Sequence, residues 1–107
     1  MRKTSNSEKN TEPFERLKDR FLKPLAMYVP VVDRVHGQHH PEFHEVRRLW
    51  EDMAARISAA GQETPQLGDV FARLREVTGG YLVPEDVCES YEAVYRMLRD
   101  LDQAYPA

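Results

Sequence analysis

Four histidines and a single cysteine are the residues of this sequence best suited to chemistry. Imidazole and thiolate together favour zinc, copper or iron. His36, His39, His40 and His44 crowd into one short stretch, and Cys88 stands far downstream. His40 and His44 are four apart, the spacing that puts two side chains on one helix face. Glu42 and Glu45 interleave with them, and Asp86 and Glu89 flank the cysteine, so oxygen donors are at hand. The candidate ligand set is His36, His40, His44 and Cys88. Glu42 or Glu45 would serve as an oxygen donor or as a hydrogen-bonding partner behind the ligands. A plainer reading of the same residues is a group of surface histidines beside a loop.

Cys88 admits two readings of its own. A helix N-terminus favours thiolate, whereas Glu85, Asp86 and Glu89 oppose it, and a place beside Val87 and Tyr91 suits a buried, inert thiol. Catalytic patterns are absent. The run His39-His40-Pro41-Glu42-Phe43-His44-Glu45 contains neither H-E-x-x-H nor E-x-x-H. Gly79-Gly80 lacks the Lys-Ser/Thr of a P-loop, and Ser90 sits in no nucleophile elbow. No catalytic residue is assigned, and an enzyme is not the expectation.

The elements that must position these residues read as helices. Phe14, Leu17, Phe21, Leu25, Tyr28, Val32 and Val35 recur every three or four residues. Pro24 and Pro30 interrupt that stripe, which predicts a kinked or split first helix ending at Gly37. A second helix should open at Pro41 and bury Phe43, Val46, Trp50, Met53 and Ile57 before Gly61. A third, of about 14 residues, is framed by Thr64 and Pro65 and stops at Gly79-Gly80, with Leu67, Val70, Leu74 and Val77 inward. A fourth should start at Pro84 and run through Val87, Tyr91, Val94, Leu98 and Leu101. No segment alternates as a strand does. The expectation is an all-α, up-down-up-down four-helix bundle. In that arrangement the end of the first helix, the start of the second and the start of the fourth share a pole, which gathers all four histidines and Cys88.

Length and composition bound the rest. At 107 residues the chain has room for one domain, assigned to 13–107. Residues 1–12 carry no large apolar side chain after Met1 and read as a disordered tail. A net charge of -3 argues against nucleic acid as a partner, and no apolar run is long enough for a membrane span. One cysteine makes no internal disulfide, which fits a cytoplasmic protein.

Two segments together resemble a known family. Met27 to Val46, with its Val35-His36-Gly37 and His40-Pro41-Glu42-Phe43, resembles the V-H-G-x-x-H-P-E-[LF] segment of the hemerythrin-like iron–sulfur cluster repair di-iron (Ric) proteins. Val83 to Asp102 is similar to the C-terminal helix of that family's short members. The resemblance implies a hemerythrin-like bundle, iron as cofactor, His36 as an iron ligand, and a stress-response role toward iron–sulfur client proteins. It also marks departures. The chain has no histidine after His44, and Thr78 and Leu82 stand where the third helix of full-length members carries ligands. A complete di-iron site in one copy is therefore not expected. Two functional readings follow. One is a small protein that holds or delivers iron, with zinc as the alternative metal, at a His/Cys pole. The other is a metal-free helical interaction module that forms a homodimer or binds a partner, since a short third helix would leave apolar surface uncovered.

Overall fold

A computed structural model describes residues 12–106. It contains four helices: α1 (Phe14–His36), α2 (Glu42–Ala60), α3 (Gly68–Thr78) and α4 (Glu89–Ala104). Among the described residues there is no strand. The all-α expectation holds. Of the tail assigned to residues 1–12, all but Glu12 lies outside the described residues, and Glu12 is ion-paired with Arg20.

α1 is one continuous helix across Pro24 and Pro30, not two. Each proline strips the donor from the carbonyl four residues back, at Arg20 and Ala26. Both of those residues are exposed, so water can take up the freed carbonyls and the helix continues. Its buried face also differs from the expected stripe. Leu25, Val29 and Val32 point inward, while Tyr28 and Val35 are 37% and 59% exposed. Continuing the observed stripe by four from Val32 arrives at His36, which is therefore turned toward the bundle.

The inward face of α2 is as expected, with Phe43, Val46, Trp50, Met53 and Ile57 buried, joined by Leu49. Pro41 takes the N-cap position and the helix is counted from Glu42, one residue later than anticipated. α3 starts at Gly68 rather than at Pro65 and has 11 residues. Residues 65–67 are instead tied to other elements: Tyr105 donates its hydroxyl to Pro65 O (2.7 Å) and accepts from Leu67 N (2.8 Å), and Arg56 donates to Gln66 O (2.9 Å). Leu67 stands outside the helical region (φ -124°, ψ 4°), so the first helical turn begins after it. α4 starts at Glu89, not Pro84, because Cys88 is extended (φ -86°, ψ 175°) and the residues before it form a turn.

α1 packs against α4 and α2, and α2 packs against α3. The two ends of α1 meet opposite ends of α4: the Phe14 ring is edge-on to Tyr105 (5.3 Å), and His36 touches Cys88. α3 reaches α4 through side chains. Arg75 donates twice to Asp102 (2.8 and 2.9 Å), Tyr81 donates its hydroxyl to the same carboxylate (2.8 Å), and Tyr105 accepts from Leu67 N (2.8 Å).

Candidate functional site

Three chain segments build the corner that carries the histidines: the last turn of α1, the 37–41 connection, and residues 86–88 ahead of α4. His36 comes from the inward stripe of α1, and its Nε2 lies 3.2 Å from Cys88 Sγ. Cys88 is the N-cap residue of α4 and makes no side-chain cap bond there, which leaves its thiol turned to the imidazole. Of the two readings of Cys88, the buried one does not hold: the residue is exposed. Tyr91, a turn later, occupies the buried position instead.

The connection after α1 is held by its own backbone. His39 N and His40 N donate to His36 O (3.1 and 2.8 Å), and Phe43 N donates to His40 O (2.9 Å). This fold-back carries His40 over the bundle end, where its side chain is only 15% exposed. Its Nδ1 lies 3.2 Å from Glu42 Oε2 and its Nε2 2.9 Å from Asp86 Oδ1. The His36 and His40 rings both stand edge-on to Tyr91, with centroids 5.5 and 5.7 Å away. One phenol ring is thus the floor under two imidazoles.

Below that floor the hydroxyls of Tyr91 and Tyr95 are 3.0 Å apart in the core. Burial pushes the Tyr91 phenol up, and the negative charges of Glu42 and Asp86 add to it. Burial likewise pushes Tyr95 up, reinforced by its bond to Tyr91. Both remain neutral phenols near pH 7 and so act as packing and hydrogen-bonding groups. At Asp86, loss of water acts to raise the carboxyl. The hydrogen bond from His40, the residue's own backbone N–H and the charges of His40 and His36 outweigh it, and the group sits below the ordinary aspartate value.

His44 does not share a face with His40. Its exposed ring turns to α1, where Nδ1 lies 2.6 Å from Asp33 Oδ1. The contact is close but out of line: Oδ1 is buried without a hydrogen-bond partner, while Oδ2 accepts from Arg47 (3.2 Å). The attraction is one of charge, present when the imidazole is protonated. Gly37 makes this corner possible for lack of a side chain. A Cβ there would collide with Asp33 O and lie 2.6 Å from His44 Cε1.

Glu45 faces α3, paired with Arg48 and 3.6 Å from Arg73 Nε. The Arg48 hydrogen bond is the main reason its carboxyl lies below the usual range. The structure thus joins His36 to Cys88, joins His40 to Glu42 and Asp86, and sends His44 and Glu45 to other partners. Asp33 escaped sequence reasoning, although it stands one turn before His36 on the same helix. Thr78 serves the backbone, since its hydroxyl donates to Leu74 O (2.7 Å) and accepts from Tyr81 N (2.7 Å). Leu82 is 75% exposed.

Among the described residues no three His, Cys, Asp or Glu side chains converge to hold a metal ion. A hemerythrin-like di-iron centre needs many more such ligands from all four helices, so the residues present do not fit one. None of the described helices is long and apolar enough to cross a membrane. No family model matches the chain, and no solved structure matches it significantly.

Proposed function

We propose that this is a small cytoplasmic metal-holding protein of the iron–sulfur cluster repair kind. In this reading His36 and Cys88 together grip a single thiophilic ion, iron or zinc, and release it to a client protein. The observation that carries the reading is the His36–Cys88 contact. Ligand bonds of ~2.0 Å from nitrogen and ~2.3 Å from sulfur, at a tetrahedral angle, separate the two donor atoms by about 3.5 Å. The observed 3.2 Å separation needs to open only slightly to reach that value. Both donors are at element ends, where small adjustments are inexpensive.

His40 and Asp86 are further donors at the same corner, at present satisfied by each other. A site with two protein ligands and open positions suits delivery better than storage, because a client's own ligands can complete the coordination. The fold that goes with this reading is the up-down-up-down, hemerythrin-like bundle. It is supported by the meeting of opposite ends of α1 and α4, and by the Arg56–Asp69 (2.8 Å) and Glu45–Arg73 pairs between α2 and α3.

The test is an anaerobic cobalt(II) titration, with elemental analysis after separate loading with ferrous iron and zinc. We expect a thiolate-to-cobalt charge-transfer band that Cys88→Ser abolishes, and metal retention that His36→Ala lowers at least tenfold. Stoichiometric binding untouched by either substitution, or no binding at all, would overturn the proposal.

A further inference from the structure

The outer face of α1 carries apolar side chains that the bundle does not use. Met27, Tyr28, Val31 and Val35 are 62%, 37%, 41% and 59% exposed, and they line up along the second half of the helix. Scattered exposed apolar residues are ordinary, but a contiguous stripe marks a docking surface. Tyr28 forms one wall of a groove whose other side is α4, through Glu89, Glu92, Ala93 and Arg96.

We propose that this face binds a second copy of the same chain, with α1 antiparallel to its counterpart about a two-fold axis near Val31. The pairing is self-complementary. Met27 falls opposite Val35 of the other copy, and Val31 meets its own equivalent at the axis, as an isologous contact requires. The charges on α4 follow the same symmetry. Because His36 lies beside Cys88 and Phe14 beside Tyr105, Val31 is level with the Glu92–Ala93 region of α4. The axis then places Glu89 of each copy opposite Arg96 of the other. Glu92, already 3.5 Å from Arg96 in its own chain, stands between the two arginines.

Other occupants fit less well. The first twelve residues are polar and charged after Met1, with no large apolar side chain to cover the stripe. The carboxylates of Glu89 and Glu92 along the groove disfavour an anionic lipid surface. The four apolar side chains alone fall short of the ~800 Å² per partner of a standard interface. The α4 flank must therefore contribute, and the dimer is a weak one, with a Kd on the order of micromolar.

Sedimentation equilibrium across low-micromolar to near-millimolar protein tests the proposal, with helicity checked by circular dichroism. The wild type should pass from one to two chains in mass. Val31→Glu, on an exposed face, should weaken association at least tenfold, as should Met27→Lys if the first variant loses helicity. Glu89→Arg should weaken the dimer, and Glu89→Arg with Arg96→Glu should restore it. A monomer at every concentration would overturn the inference. So would a dimer indifferent to a folded Val31→Glu or Met27→Lys variant, a charge-swapped pair that fails to recover, or co-sedimentation of the wild type with anionic vesicles.

Discussion

The two ends of the bundle are built on opposite principles. Where α4 finishes, polar groups from both ends of α3 are spent on its last turn. Tyr105 donates to Pro65 O and accepts from Leu67 N, and Asp102 accepts from Arg75 and Tyr81. At the other end the polar groups meet in small, separate contacts: His36 with Cys88, His40 with Glu42 and Asp86, His44 with Asp33. The thiol is exposed, and Asp33 Oδ1 is buried without a hydrogen bond. The first end is a clasp that fixes a short helix lacking a side-chain cap. The second gathers reactive side chains on a tight backbone and leaves them adjustable. Substitutions should therefore cost stability at the clasp and chemistry at the corner.

Gly37→Ala should give the largest effect and would breach that division, because its methyl group meets a backbone oxygen that cannot swing aside. Overpacking of this kind destabilises by about 1–3 kcal/mol, and urea denaturation should find it at the upper end. Tyr105→Phe should come next. It removes the two Tyr105 bonds of the clasp and leaves Leu67 N–H without its partner, a loss of ~1–3 kcal/mol by the same measurement.

Acid should act on the corner more gently. The Asp86 carboxyl is held below its unfolded value of 3.8. A depressed carboxylate contributes stability that is fully present above that value and is lost as pH falls through the lower folded value. Melting followed from pH 5 downward should show this loss, and Asp86→Asn should flatten that part of the profile. Glu45 and Asp69, also depressed by their arginine partners, continue to contribute in the variant.

The smallest stability effect belongs to His36→Ala and Cys88→Ser, within about 0.5 kcal/mol of wild type, as for other exposed or end positions. These variants sharpen the comparison, since the same substitutions should remove the cobalt band. A stability loss as large as that of Tyr105→Phe would show that the His36–Cys88 contact is part of the packing instead.

Much of the fold is legible in the sequence because helix burial is a local, periodic property. Phe43, Val46, Trp50, Met53 and Ile57 can be read inward from spacing alone, and so can Tyr91, Val94, Leu98 and Leu101. Spacing is less informative where an apolar residue has no neighbour to pack on. Tyr28 and Val35 fit the expected stripe, but α1 turns Val29 and His36 inward in their place. The start of the third helix departs from expectation for a different reason. Thr64-Pro65 is a good local opening, but Tyr105 and Arg56, distant in sequence, hydrogen-bond to residues 65–67, which lie outside the helix.

By itself the sequence determined the helical class, the inner faces of α2 and α4, and the gathering of His36, His40 and Cys88 at one corner. Those follow from side-chain periodicity and from helix ends that short connections must bring together. Tertiary structure alone decided which donors touch. His40 and His44, though four apart, part company because the fold-back after Gly37 takes one ring toward α4 while α2 turns the other to Asp33. Spacing along a chain can place two side chains on a common face, but which partner each one meets depends on the element packed opposite.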